Sequence, residues 1–310
     1  MSLHVFGAIV TGPGTAANNR GLTEGNITTL QKLLWSGQVH TTVSAESIRF
    51  ALRRYLGEKE PLNRNYDDDA RVNTWEDPEF AKWASGKGKR FIDDDLLGYM
   101  SAKAAKQDGD EDGEGKPGKG TAKVRRSVLE VTRAVSLTPW AGDITFNAAS
   151  PGATPSAQKK GSNPVPYGTE VHATRYQYGF ALTPNKIVEE KAKRAGHAIR
   201  GLCSIGSVAG NHGRFLFDFS PESVVLRVTH EAAPRILYPF AAENGKVEAT
   251  ELFRKVRAGD VPAKELVIGG AILATLTEGD REALKGAALF DGVVAACEEV
   301  CTRIDKLVKE

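Results

Sequence analysis

Residues 44–56 read SAESIRFALRRYL, and this stretch decides how the first part of the chain folds. Ile48, Leu52 and Leu56 recur at helical spacing, which places their side chains on one face of an α-helix. The first residue, Ser44, can cap the opening turn, and the glycine that follows the stretch can end the helix. The sequence therefore predicts an amphipathic helix that packs its apolar face on the rest of the protein.

Strand-like segments lie on both sides of this helix. Residues 3–11, LHVFGAIVT, are apolar and β-prone, and a loop rich in Gly, Pro and Asn follows over 12–21. Residues that favour strands return over 124–137 and again over 170–180. Because strands and helices are mixed along the chain, the sequence predicts an α+β fold in which helices pack on a sheet.

Four further elements are predicted after residue 183. We expect a helix over 184–199 and a short strand near 266–272. Two apolar alternations, over 215–219 and 224–228, predict a hairpin because a Ser-Pro break separates them. A final helix is expected over 280–309.

Two long segments interrupt these elements. Residues 58–121 are polar and end in a Gly-rich run with five acids between Asp108 and Glu114, which predicts a disordered loop. Residues 139–166 hold five prolines between two strand-like segments. This arrangement predicts a long hairpin arm.

Charge and composition favour a cytoplasmic protein with a polyanionic partner. The formal net charge of the 310 residues is +2, and setting aside the five acids of the Gly-rich run raises it to about +7. We expect no contact with a membrane, since neither a membrane span nor a signal peptide is evident. Cys203, Cys297 and Cys301 are odd in number and lack a zinc spacing, so we interpret them as buried thiols.

The helix at 44–56 also suggests a phosphate-binding surface. Ser44 and Ser47 stand at its N-terminus, where backbone N–H groups and the helix dipole favour an anion. Arg49 and Arg53 lie one turn apart and would form a cationic stripe beside the apolar face. The alternative is a capped helix with ordinary solvated arginines.

Other polar segments allow competing interpretations. The aspartate runs at 67–69 and 93–95 could hold magnesium in a nuclease, but acids before Leu96 also favour the start of a helix. The turn AGNHGR at 209–214 could place Arg214 on a phosphate or could simply be a tight turn.

Several segments together resemble one family. In chain order they are NITTLQKLLWSGQVHTTVSAESIRFALR at 26–53, DDDLLGY at 93–99, RSVLEVTRAVSL at 126–137, the stretch 166–182, AGNHGR at 209–214 and FSPESVVLR at 219–227. As a set, these segments resemble the DevR-like family of CRISPR-associated backbone proteins of type I Cascade-like complexes.

The resemblance implies a modified RRM-like (ferredoxin-like) palm with a finger insertion and a thumb β-hairpin. The palm would comprise 1–57, 122–139 and 170–310, the finger 58–121 and the thumb 140–169. It further implies an RNA-binding subunit, not an enzyme, that needs no cofactor. Copies of it would assemble along a guide RNA (crRNA) with other Cascade subunits, and the guide would recognise target nucleic acid by base pairing.

Carried over by motif, the family's RNA contacts fall on ten residues. Four of them would touch phosphates at the first helix, three would lie beside them, two would lie near the thumb tip, and one would contribute from the opposite edge. In that order they are Ser44, Ser47, Arg49 and Arg53; Asn18, Arg20 and Asn26; Lys159 and Lys160; and Arg214.

Two other functions compete with this prediction. One is a guide-dependent ribonuclease similar to type III backbone subunits, for which the aspartates at 93–95 are the candidate catalytic groups. The other is a regulatory protein, since the family was once named for autoregulation. The sequence shows no helix-turn-helix pattern for operator binding, so the regulatory function ranks last.

Overall fold

A computed structural model describes residues 2–16, 22–103, 121–148, 150–153, 166–210, 216–243 and 245–309. The strands are β1 (His4–Thr11), β2 (Gly14–Ala16), β3 (Thr23–Glu24), β4 (Ile27–Thr28), β5 (Lys32–Trp35), β6 (Gln38–Val43), β7 (Arg64–Asp67), β8 (Val72–Trp75), β9 (Tyr99–Lys103), β10 (Thr121–Arg125), β11 (Leu129–Val131), β12 (Ala134–Ser136), β13 (Ile144–Asn147), β14 (Tyr167–Glu170), β15 (His172–Thr174), β16 (Tyr176–Leu182), β17 (Pro221–Thr229), β18 (Ala241–Glu243), β19 (Lys246–Glu248), β20 (Leu266–Gly270) and β21 (Ala288–Phe290). The α-helices are α1 (Ala45–Gly57), α2 (Ala81–Ser85), α3 (Ile92–Leu97), α4 (Lys191–Leu202), α5 (Thr250–Arg257), α6 (Glu278–Ala283) and α7 (Val293–Leu307).

One large sheet organises this α+β fold. Its strands run in the order β21, β20, β17, β1, β16, β12, β6, β5, and β11 also pairs with β16. The central strand β1 is antiparallel to both neighbours, with Ala8 opposite Gly179 on one side and Val225 on the other. Of the smaller sheets, β7–β8 and β9–β10 are two-stranded, whereas β13 and β14 belong to a four-stranded sheet in the order β13, β14, β4, β3.

Helices and loops cover both faces of the sheet. Val5 and Ile9 of β1 belong to one buried cluster, together with apolar side chains of α1, α3, α4 and α7. Phe6, Ala8 and Val10 point to the other face, which α5 and the segments around it cover. This two-sided burial explains why β1 is a continuous apolar run rather than an alternating one.

The predicted elements closest to β1 and α1 are confirmed. The strand expected at 3–11 is β1, and the helix expected at 44–56 is α1, capped by Ser44 and buried through Ile48, Leu52 and Leu56. The strand near 266–272 is β20. Within the described ranges, no helix has the length and apolar character needed to cross a membrane.

Three predicted elements differ from the structure in their extent. The segment 124–137 is divided among the end of β10, β11 and β12, because the first part pairs with β9 and not with the large sheet. The helix expected at 184–199 begins only at α4, after a 3-10 turn. The final helix expected at 280–309 begins at α7, after the short strand β21.

The prediction of a hairpin over 215–228 is wrong for the described residues, 216–228. Strand β17 pairs with β1 and β20 instead of with the preceding residues, and residues 216–220 are not a strand. The aromatic alternation has another cause, because Phe217 and Phe219 pack against Tyr176 and Tyr178 beneath the sheet. An alternating pattern therefore marked core packing and not strand pairing.

The cysteine prediction is wrong for one pair. Cys203 at the end of α4 and Cys297 in α7 form a disulfide, whereas Cys301 is a buried thiol. Helices α4 and α7 pack side by side and bring together two cysteines 94 residues apart.

A buried ion cluster joins α4 to the polar segment that begins at residue 58. The guanidinium of Arg194 is fully buried and lies 2.8 Å from both Glu60 and Asp95. It also donates to the backbone carbonyl of Arg90. The cluster therefore ties α4, α3 and the chain that leaves α1 to one another.

We predict that Arg194→Ala lowers the free energy of unfolding by about 3–5 kcal/mol, because the buried Glu60 and Asp95 would lose their fully buried partner and keep only the more exposed Lys89 and Arg125. Arg200→Ala on the same helix is the control. Its ion pair with Glu298 is exposed, so we expect a loss of only about 0–1 kcal/mol. Urea denaturation would measure both variants, and equal losses would contradict the structural role of the buried cluster.

Candidate nucleic-acid interface

A cleft of about 980 Å³ lies beside α1, and we call it the α1 cleft. Its floor is α1, one wall is the β7–β8 hairpin, and the other wall combines the end of α3 with the β9–β10 hairpin. Among the side chains that line the cleft are Ser47, Arg49, Arg53, Arg64, Trp75, Met100, Val124 and Arg125.

The two serines at the start of α1 have different positions. The hydroxyl of Ser44 accepts a hydrogen bond from the backbone N–H of Ser47 at 3.2 Å, as expected for an N-cap. Ser44 is only 2% exposed, so its side chain is buried at the start of the helix. Ser47 lines the cleft.

Arg49 and Arg53 line the cleft together but are not freely solvated. Arg49 donates to the carbonyl oxygen of Leu97 at 2.5 Å, and Nε of Arg53 lies 3.5 Å from Asp93 Oδ2. Burial lowers the pKa of both guanidinium groups from their ordinary values, and Asp93 opposes this shift at Arg53. Each guanidinium group has several N–H donors, so these contacts leave donors for a ligand.

Acidic side chains balance the arginines of the cleft. Its lining includes Arg49, Arg53, Arg64 and Arg125, but also four acids. These acids are Glu46, Asp93, Asp94 and Glu130. The α1 cleft is therefore less cationic than its arginines alone would suggest.

Exposed apolar side chains add a second chemical character to the cleft. Met100 and Val124 are 72% and 65% exposed and stand opposite each other on the β9–β10 hairpin. Trp75 on the β7–β8 hairpin is also exposed, with the Arg64 guanidinium 5.7 Å from its ring centroid. Apolar surface beside cations suits the bases and phosphates of a single strand.

The three aspartates of α3 are engaged by protein groups. Asp93 accepts the backbone N–H groups of Asn63 and Arg64, and Asp94 accepts the Asn63 side-chain amide at 2.9 Å. They lie in the first turn of α3, as the helix-start interpretation predicts.

Asp95 points to a different set of partners from those of Asp93 and Asp94. It pairs with Arg125 and Arg194 and accepts the backbone N–H of Val188. In the part of the chain that the structure describes, no three His, Cys, Asp or Glu side chains are grouped to hold a metal ion.

The remaining expected RNA contacts lie elsewhere or outside the described residues. Asn26 is in the turn between β3 and β4, where its carbonyl accepts the N–H of Gly168, and it does not line the α1 cleft. Asn18, Arg20, Lys159, Lys160 and Arg214 lie outside the described residues, as do His212 and the acidic run at 108–114.

Sequence reasoning missed the hairpin side chains of the cleft. Arg64 and Trp75 are cross-strand partners on β7 and β8, and Arg125 pairs with Tyr99 on β10 and β9. The sequence does carry a signal for the β7–β8 hairpin. Arg64 and Tyr66 alternate before a polar turn, and Asn73 and Trp75 alternate after it.

Comparison with known proteins gives consistent sequence matches. The family described as "CRISPR-associated negative auto-regulator DevR/Csa2" matches residues 7–251. A protein of Myxococcus xanthus (strain DK1622), "CRISPR-associated protein Cas7/Cst2/DevR", is 67% identical over 308 residues, which covers 98% of this chain and 99% of that protein.

Solved structures share the fold at low sequence identity. A chain of a "CRISPR RNA-guided surveillance complex" matches with a TM-score of 0.58 and 13% identity, covering 97% of this chain and 99% of that one. A chain of a "CRISPR RNA-guided surveillance complex, pre-nicking" matches with a TM-score of 0.59 and 11% identity, covering 97% and 100%.

We predict a pH-dependent contribution of Asp94 to stability. Burial, followed by the nearby Asp93, raises the pKa of Asp94 from 3.8 to about 7. Between pH 3.8 and about pH 7, Asp94 holds a proton in the folded state but not in the unfolded state. Its contribution to the free energy of unfolding is therefore present at low pH and is lost as pH rises towards 7.

The Asp94→Asn variant should lack this pH dependence. From pH 4 to pH 8, wild type should lose about 2–4 kcal/mol of unfolding free energy relative to Asp94→Asn. Asp68→Asn is the control, because it makes the same substitution at an exposed position. Parallel urea-denaturation profiles for wild type and Asp94→Asn would refute the prediction.

Proposed function

The chain belongs to the CRISPR-associated DevR/Csa2 family, and we propose that it binds crRNA as a backbone subunit of a CRISPR surveillance complex. The observation that carries this proposal is the near full-length match, at 67% identity, to the Cas7/Cst2/DevR protein. The shared fold with surveillance-complex chains supports it. The partners of the subunit are crRNA, the target nucleic acid that pairs with it, further copies of the chain and other Cascade subunits.

In this proposal the centre of the large sheet is an RRM-like palm. The order β17, β1, β16, β12, with α1 after β1 and α4 after β16, supports the assignment. The finger would be residues 58–121 and the thumb 140–169. Because α5 and its neighbours cover the sheet face opposite α1, RNA would contact the α1 cleft and not an open sheet.

The α1 cleft would hold the RNA backbone. Ser47, Arg49 and Arg53 would contact phosphates, with Ser44 fixing the helix start that presents them. Arg64 and Arg125 add to this set because they line the same cleft. Contacts to phosphates bind guides of any sequence, and base pairing then selects the target. Asn18, Arg20, Asn26, Lys159, Lys160 and Arg214 remain proposed contacts from the resemblance alone.

The thumb would join neighbouring copies of the chain. Strands β13 and β14 pair as a hairpin, and Phe146 is 78% exposed at its edge, with Ile144 exposed on the same face. Exposed apolar side chains on this edge strand of the four-stranded sheet suit contact with another protein surface.

We propose that the subunit acts in the cytoplasm and does not cleave RNA. The carboxylates of α3, which were the candidates for a ribonuclease site, are bound by protein groups. The direct test of the proposed function is to purify the protein from its native host and sequence the RNA that accompanies it. Guide RNAs with common repeat-derived ends would support the proposal, and RNA without such ends would oppose it.

Arg49→Gln should weaken binding of unrelated single-stranded RNAs alike, by about tenfold at low salt, since a charge-assisted phosphate contact is lost. Arg54→Gln is the matched control, because Arg54 lies on the same helix but outside the α1 cleft. Filter binding would measure both variants. Equal affinities for Arg49→Gln and Arg54→Gln would argue against RNA in this cleft.

Phe146→Asp should block assembly on a long guide while leaving the monomer folded, since a charge would enter the proposed contact between copies. Val294→Asp is the control, because Val294 is also an exposed apolar residue but lies on α7. Sedimentation with a guide of several binding lengths would measure assembly. Full-length assemblies of Phe146→Asp would show that the thumb assignment is wrong.

A further inference from the structure

A second cavity, of about 760 Å³, lies between α2 and the β9–β10 hairpin, and we call it the α2 pocket. Its volume falls within the range typical of sites that bind small molecules or parts of larger ligands. Tyr99, Val124, Arg125 and Ser127 line both this pocket and the α1 cleft. A strand that crosses the hairpin would therefore meet both cavities.

Aromatic rings form one part of the α2 pocket. Phe80 and Tyr99 stack with ring centroids 3.8 Å apart, and Trp83 lies at an angle beside Tyr99. The Arg125 guanidinium lies 4.1 Å from the Trp83 ring centroid and is held by Asp95 at 2.6 Å. These mutual contacts fix the rings in place, and the half-buried Tyr99 and Trp83 present the aromatic surface of the pocket.

Cations form the rest of the pocket. Lys123, Arg126 and Lys186 are exposed at its edge, and Arg125 lies deeper. Among the described residues that line the pocket, none is an Asp or Glu. This composition contrasts with the α1 cleft, where four acids balance four arginines. Of the two cavities, the α2 pocket has the stronger attraction for an anion.

Existing contacts leave the edge cations available to a ligand. Arg126 pairs with Glu130 in an exposed salt bridge, which is worth little in water. The Lys123 ammonium donates to the backbone carbonyl of Glu79 at 3.2 Å, so this hydrogen bond does not neutralise its charge. A phosphate that approaches this edge would therefore displace only weak interactions of Lys123 and Arg126.

We propose that the α2 pocket binds a nucleotide of a nucleic-acid strand, with the base against the aromatic rings and the phosphate at Lys123, Arg126 and Lys186. An acidic peptide would satisfy the cations, but the aromatic surface favours a ligand that carries a planar base beside its negative charge. The inference rests on the proposed function in that the strand belongs to the nucleic acid held by the assembly. It adds a binding site that neither the α1 helix motif nor the thumb predicts.

The test removes the three edge cations together. Lys123→Ala/Arg126→Ala/Lys186→Ala should lower affinity for single-stranded RNA by at least about tenfold at low salt. The slope of log affinity against log salt should fall by about 0.7, the contribution of one phosphate contact on a single strand. The control, Lys246→Ala/Lys285→Ala/Lys309→Ala, removes the same charge from exposed positions elsewhere. The proposal would be overturned if the two triple variants had the same RNA affinity and the same salt slope.

Adenosine monophosphate tests the pocket without RNA. It should quench tryptophan fluorescence in wild type, and Trp83→Phe or the edge-cation variant should abolish that response. Adenosine and inorganic phosphate should each act more weakly than the nucleotide, because each lacks one half of the ligand. Stronger binding of polyglutamate than of the nucleotide would overturn the proposal in favour of an acidic protein partner.

The outcomes separate this inference from the proposed function. Loss of RNA binding in Arg49→Gln with no effect of the edge-cation variant would support the α1 cleft and reject the α2 pocket. In the opposite pattern, the nucleotide quenches Trp83 fluorescence, no guide RNA co-purifies and Arg49→Gln does not lower RNA affinity. This pattern would support the α2 pocket and reject the proposed function.

Discussion

Three consecutive carboxylates on α3 hold the functional region together. Asp93 and Asp94 bind the chain where it enters β7, and Asp95 binds Arg125 at the end of β10 and Arg194 on α4. Both projecting hairpins beside α1 are therefore fixed through one short helix. Because these charges are buried, removing a partner is costly, and the positions of the hairpins depend on the whole cluster being complete.

This arrangement also decides what the aspartates can do. Asp93 accepts backbone N–H groups and Asp95 pairs with a buried arginine, so both have little capacity left for a metal ion. The geometry therefore supports a structural role for the run, in agreement with a subunit that holds nucleic acid. The same contacts orient Arg53 and Arg125 along the walls of the two cavities.

The α1 cleft is less positively charged than the number of arginines near α1 suggests. In the α1 cleft, acids from α1, α3 and the strand β11 lie among the arginines, so exposed apolar side chains contribute as much to its character as positive charge does. Across the β9–β10 hairpin, the α2 pocket combines cations with stacked rings. A nucleic-acid strand would thus meet two surfaces of different chemistry on one projecting element.

The sequence by itself determined the α+β class, β1, the capped helix α1 and, through its motifs, the family, because these follow from local periodicity, capping and ordered segments. Only the tertiary structure decided which side chains meet. The disulfide between Cys203 and Cys297, the packing of Phe217 and Phe219 beneath the sheet, and the α2 pocket all join residues far apart in the chain. Local patterns carry no information on such contacts, since the register of strands and the packing of helices select them.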